Sequence, residues 1–161
     1  DNDDIPFNRD FALQPGIVDE ARPGVRRVLC NNPSPFTFTG TVSYPGIAAA
    51  VPGNHIEDIS AAVEDVAKPR GFGIIRQFVG HGIGTAMHED PQVPNFRSRS
   101  PGIELAIGHC LAIEPMFTLG SEATEVLDDQ WTVVTRDGSL SAHFEHTIAV
   151  TATGPEILTT V

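Results

Sequence analysis

Cysteine, tryptophan and tyrosine are nearly missing from this chain, which has two, one and one of them in 161 residues. Cys30 and Cys110 lie far apart with no CxxC spacing, so a disulfide framework is excluded and reduced thiols are expected. Basic residues are scarce as well. Ten Lys and Arg stand against 21 Asp and Glu, for a net charge of -11. Nonspecific affinity for nucleic acid comes from cationic side chains neutralising phosphates, so this balance argues against a nucleic-acid partner. No apolar run approaches the roughly 20 residues that span a bilayer, and the first residues offer neither a basic start nor a hydrophobic signal core. A soluble, cytoplasmic protein with no membrane partner and no export signal of its own is the expectation. Internal repeats and low-complexity tracts are also lacking.

What is present divides near residue 45. The segment 1–45 carries many acids, a Pro-rich stretch at Asn31-Asn32-Pro33-Ser34-Pro35, and two short strand patterns, Gly24 to Leu29 and Phe36 to Thr39, the second ended by Gly40. From residue 46 to 161 the patterning is regular. Pro52-Gly53-Asn54 sets a turn, and Ile56, Ile59, Ala62, Val63 and Val66 recur at helical spacing until Pro69, which predicts an amphipathic helix of about four turns. Ile74 to Val79 reads as a strand, followed by a glycine-rich turn at Gly80, Gly82 and Gly84 and a loop from Glu89 to Gly102. Leu111 to Met116, Trp131 to Thr135 and Ser141 to Val150 are strand-like. The last two flank Arg136-Asp137-Gly138, and Asp-Gly favours a tight hairpin because both positions tolerate positive φ. On the final strand His143, Glu145, Thr147 and Ala149 share one face.

Three polar residues stand where strand packing alone would not put them. His81 lies in Gly80-His81-Gly82-Ile83-Gly84, where small neighbours allow close backbone approach. Glu114 and Glu145 sit inside strand patterns, and a carboxylate held on a mid-sheet strand costs free energy unless a cation or donor compensates it. Singly, each also reads as an ordinary solvated or ion-paired residue. Together, one imidazole and two carboxylates make a plausible shell for a divalent ion such as Co, Mn, Fe or Zn. His55, His109, His143 and His146 have no comparable context and are assigned to structure or surface.

The stretch Gly80-His81-Gly82-Ile83-Gly84-Thr85-Ala86-Met87-His88-Glu89-Asp90-Pro91 closely resembles the signature of methionine aminopeptidases. Leu111 to Met116 and His143 to Thr147 resemble that family's two glutamate motifs, in the same order, and the likeness extends over residues 46–160, closest to the C-terminal half of bacterial, actinobacterial-like type 1 enzymes. The resemblance implies an α+β fold, a partial pita-bread with a curved antiparallel sheet and a covering helix. It implies His81, Glu114 and Glu145 as metal ligands with Glu145 bridging, His88 as the catalytic histidine that contacts the scissile peptide, and Met87 and Trp131 as shapers of the methionine pocket. The implied activity is removal of N-terminal methionine from nascent peptides by metal-activated water.

That family also draws two aspartate ligands and a further histidine from the other half of its fold, and no stretch before Pro45 resembles those motifs. Residues 17–41 instead weakly resemble the first strands of metallo-β-lactamase-fold hydrolases, without their His-rich metal motif. Impaired catalysis is therefore expected of this chain. A lobe of this kind exposes strand edges and apolar surface, so a homodimer or a complementing chain is the expected partner. The competing reading is a non-catalytic binding module built on the same fold.

Overall fold

A computed structural model describes residues 18–22, 25–28 and 38–159, with the side chains described from Tyr44 onward. The Pro-rich Asn31 to Pro35 stretch and Cys30 lie outside them. The chain divides into two units, Asp1–Thr37 and Phe38–Val161. In the first, β1 (Val18–Arg22) pairs antiparallel with β2 (Val25–Val28), which the strand pattern at Gly24 to Leu29 anticipates.

The second unit is organised by its helices. Helix α2 (Ile56–Ala67) starts where the backbone N–H of His55 donates to Asp58 Oδ2 at 2.7 Å, and Glu57 and Asp58 complement the partial positive charge of its first turn. A 3-10 turn at Lys68–Arg70 and a left-handed Gly71 (φ 75°) end it, so the regular helix has about three turns instead of the expected four. Ile56, Ile59, Val63 and Ala67 form its buried stripe. Ala62 and Val66 are only half-buried.

Helix α1 (Phe38–Ala49) corrects an expectation: the strand read over Phe36 to Thr39 is helical from Phe38, and Gly40 lies inside the helix. The boundary expected near residue 45 likewise falls within α1. With Gly40, Pro45 and Gly46, this segment has poor intrinsic helix propensity, so tertiary packing must hold it. The packing is visible at Gly46, where a Cβ would come within 2.7 Å of Val63 Cγ2, and at Ile47 and Ala50, both buried against the same core.

Beneath the helices lie a five-stranded sheet in the order β12-β11-β6-β4-β5 and a three-stranded sheet in the order β10-β7-β3. The five are β4 (Gly80–Gly82), β5 (Glu89–Val93), β6 (Cys110–Ile113), β11 (His146–Thr151) and β12 (Gly154–Ile157). The three are β3 (Gly73–Ile74), β7 (Met116–Thr118) and β10 (Ser141–His143), and β8 (Thr124–Val126) pairs separately with β9 (Val133–Thr135). All pairings are antiparallel. Helix α2 spans both larger sheets. Ile56 and Ile59 pack with Leu111, Ile113, Ile148 and Val150, whereas Val63 and Ala67 pack with Ile74 and Phe117. Each such fully buried Ile, Leu or Val contributes about 1.5–3 kcal/mol relative to exposure. Among the described residues no helix is long and apolar enough to cross a membrane, and Cys110 is a free thiol.

Three further expectations change. The glycine-rich turn is strand β4, because both neighbouring strands approach its glycines: a Cβ on Gly80 would collide with the Ala112 carbonyl oxygen, and one on Gly82 with that of Asp90. The loop from Glu89 begins with strand β5, which pairs with β4. The Asp137-Gly138 corner forms a turn, with Gly138 at φ 70° and its N–H donating to the Thr135 carbonyl at 3.1 Å, but it joins strands of different sheets. Strand β9 pairs with β8, and β10 pairs with β7. Turn chemistry specifies a local reversal only. Here Asp137 Oδ2 accepts the Ser121 N–H at 2.7 Å and Oδ1 accepts that of Ser139 at 3.0 Å, which ties the turn to the chain before β8 instead of closing a hairpin.

The Ser121 N–H, followed by Ser139, holds the Asp137 carboxyl at about 2, below its ordinary value. A carboxyl depressed in the folded state stabilises the fold above its unfolded pKa of about 3.9, and that contribution disappears as pH falls toward its folded value. Asp137 is solvent-exposed, so the effect is modest. In urea titrations, wild type is expected to lose stability relative to Asp137→Asn between about pH 4 and pH 2, with the two midpoints converging at the acid end. A constant difference across that range would contradict the assignment.

Candidate metal centre and cleft

Two strand breaks set the site. Strand β6 ends at Ile113 and β7 begins at Met116, leaving Glu114 and Pro115 between the sheets. Opposite them, β10 ends at His143 and β11 begins at His146, leaving Phe144 and Glu145. The register pairs Ile113 with His146 and Met116 with His143, so the two breaks face each other, joined by the Phe144 N–H donating to the Pro115 carbonyl at 3.3 Å. Glu114, His143 and Glu145 are thereby brought together. One ligand atom from each lies within 4.8 Å of the others.

Glu114 is the buried member, 8% exposed, and its two oxygens face two imidazoles. His81 Nε2 lies 3.4 Å from Oε1 and His143 Nε2 lies 3.3 Å from Oε2. Charge-assisted hydrogen bonds would be shorter, near 2.7–2.9 Å. By contrast, two ligands on one ion with tetrahedral angles and bonds of about 2.0–2.1 Å sit about 3.3–3.5 Å apart. His81 is oriented from its other side, where Nδ1 meets the Gly82 carbonyl oxygen at 2.8 Å. A carbonyl can only accept, so the proton belongs on Nδ1 and the Nε2 lone pair is turned to Glu114, the arrangement seen in metal-ligating histidines. The donor set, two carboxylates and two imidazoles, fits a divalent ion of borderline hardness.

The expected ligands are therefore placed as follows. His81 stands at the centre of β4, half-buried, and adjoins the cluster through Glu114. Glu145 is in the cluster but exposed. His88 is exposed, with its ring 4.3 Å from that of His81. His81, His88 and Glu114 line an open cleft of about 600 Å³ whose apolar wall includes Phe78, Val79 and Met116. Met87 and Trp131 are 73% and 87% exposed and do not line this cleft, because their side chains project from loops into solvent. The loop that carries His88 is closed by Glu89, whose Oε1 accepts the Ala86 N–H at 2.7 Å.

Two residues that sequence reasoning missed belong to the site. His143, assigned to structure or surface, faces Glu114; its place on the same strand face as Glu145 was the available signal. Asn95 is 1% exposed and its Nδ2 donates to the Glu114 carbonyl at 3.1 Å. Nothing in its sequence context marks it as buried. The loop bearing Asn95 is clamped to α2, where the buried Glu64 accepts the Arg97 N–H at 3.0 Å and Arg97 forms two 2.7 Å bonds to Asp65. Burial alone would raise the Glu64 carboxyl, but Lys68 and Arg97 outweigh it and hold it below its ordinary value.

The model of metallopeptidase family M24 matches residues 13–152. The chain belongs to this family. The matched span includes residues 17–41, the stretch with the weak metallo-β-lactamase-fold resemblance. A "Methionine aminopeptidase 1" of Mycobacterium tuberculosis is 52% identical over 120 residues, 71% of this chain and 45% of the relative. A "Methionine aminopeptidase" of Clostridium perfringens is 50% identical over 118 residues, 73% of this chain and 47% of the relative. The chain thus spans about half the length of these relatives. Among solved structures, methionine aminopeptidase from Thermotoga maritima matches with a TM-score of 0.77 and 39% identity, covering 85% of this chain and 57% of that one. The enzyme from Rickettsia prowazekii gives 0.77 and 35%, covering 84% and 56%. The M24 chain accordingly has the α+β, partial pita-bread architecture.

Asn95 gives a direct test of how the centre is held. Asn95→Ala leaves the buried Glu114 carbonyl without its donor, and is expected to lower unfolding free energy by about 1–3 kcal/mol in urea titrations. A change below about 0.5 kcal/mol would show that the bond is immaterial.

Proposed function

We propose that this M24 chain carries the metal-binding part of a methionine aminopeptidase and removes N-terminal methionine from short peptides by metal-assisted hydrolysis. The observation that carries the reading is the buried Glu114 held between two imidazoles beside Glu145, at the edge of a cleft that also holds His88. Glu114, Glu145 and His81 are the ligands this reading assigns first. A bound divalent ion, Co, Mn, Fe or Zn, supplies Lewis acidity that lowers the pKa of water and polarises a peptide carbonyl.

The chain's own residues supply the rest. His88, which lines the cleft beside His81, is the residue proposed to donate to the scissile peptide and to stabilise negative charge on its oxygen. Phe78, Val79 and Met116 offer an apolar wall to a substrate side chain. Met87 and Trp131, on exposed loops, are proposed to add to the methionine pocket. The substrate class is a peptide with a free N-terminal methionine, in the cytoplasm, with neither nucleic acid nor membrane as partner. Association with a second copy or a complementing chain belongs to the same proposal.

One observation favours the second reading, a non-catalytic binding module. Among the described residues no aspartate joins Glu114, His143 and Glu145. Impaired turnover follows if the cluster acts alone.

The two readings separate in one assay. With Mn or Co and a Met-Ala-Ser peptide, slow metal-dependent release of methionine is expected, falling at least about 100-fold in Glu145→Ala, a loss of about 2.7 kcal/mol in transition-state stabilisation. No release by a folded, metal-loaded protein would establish the module instead.

A further inference from the structure

Glu145 and His143 lie two positions apart at the break between β10 and β11, on the same side of the chain, and both reach Glu114. The family resemblance assigns the nitrogen ligand to His81, on a different strand. In this chain the three-residue group contains His143, with Nε2 3.3 Å from Glu114 Oε2, while His81 Nε2 faces the other oxygen at 3.4 Å. Glu114 thus presents one oxygen to each imidazole. Both separations equal the edge of a coordination tetrahedron, about 3.3–3.5 Å, and exceed a charge-assisted hydrogen bond.

We propose that His143 is itself a metal ligand, closing with Glu114 and Glu145 a single-ion site made from neighbouring strand breaks. The inference rests on the metal-centre reading above and adds a nitrogen donor to it. Three protein ligands suffice to hold a divalent ion while leaving positions open. All three of these residues come from the two paired breaks. His81, held by Gly82, serves the opposite oxygen of Glu114 and either joins that ion or orients the carboxylate.

His143 is the last residue of β10 and its side chain is 46% exposed, so removing its ring opens little of the core. The test is calorimetric titration of the metal-free protein with cobalt chloride, with the visible absorption of bound cobalt as a second readout. Wild type, His143→Ala, His143→Gln, His81→Ala and Glu145→Ala are compared, each checked for an unchanged melting temperature without metal.

His143→Ala and His143→Gln are both expected to bind at least about tenfold more weakly than wild type and to shift the cobalt absorption as a nitrogen donor is lost. Wild-type affinity and an unchanged spectrum in both His143 variants, with binding lost in Glu145→Ala, would overturn the His143 assignment while leaving the metal centre standing. Absence of cobalt binding by wild type would overturn both.

Discussion

A carboxylate removed from water is the constraint around which this structure is arranged. Glu114 is 8% exposed, and an isolated buried carboxylate is among the most costly groups a protein can contain. Two imidazole nitrogens face its two oxygens at 3.4 and 3.3 Å, separations that suit a shared cation better than a direct hydrogen bond, and Asn95 holds its backbone. Its position between β6 and β7 matters equally. A residue in a regular ladder would have its side chain fixed by the pleat, whereas the break lets Glu114 and its opposite number Glu145 turn toward the same space.

The surrounding fold keeps those breaks in register. Helix α2 packs on both sheets at once, so the five-stranded and three-stranded layers cannot slide apart without exposing Ile59 or Val63. The same helix uses Glu64 and Asp65 to clamp the loop that carries Asn95. Close backbone approach at Gly80 and Gly82 seats His81 between β6 and β5, and a side chain at either glycine would push β4 away from its neighbours. Packing, ion pairing and glycine placement therefore converge on one carboxylate.

Much of this was legible in the residues themselves. The spacing of Ile56, Ile59 and Val63 predicts helix α2, and the setting of His81, Glu114 and Glu145 singles them out before any coordinates. The misreadings have a common origin. Phe38 to Ala49 is rich in helix-breaking residues and is helical through packing; Gly80 to Gly82 resembles a turn and is a strand because two neighbours approach it. Asp137-Gly138 reverses the chain, yet its flanking strands find partners elsewhere.

The sequence alone determined which chemistry is available: two carboxylates and an imidazole in recognisable settings. Only the tertiary structure decided which of those groups meet. Local patterns specify the direction of a side chain along its own strand, but ligand distances of 3–5 Å depend on register between strands some 30 residues apart. That register brought His143 to Glu114, while the loop tied to α2 brought Asn95 there and other loops left Met87 and Trp131 in solvent.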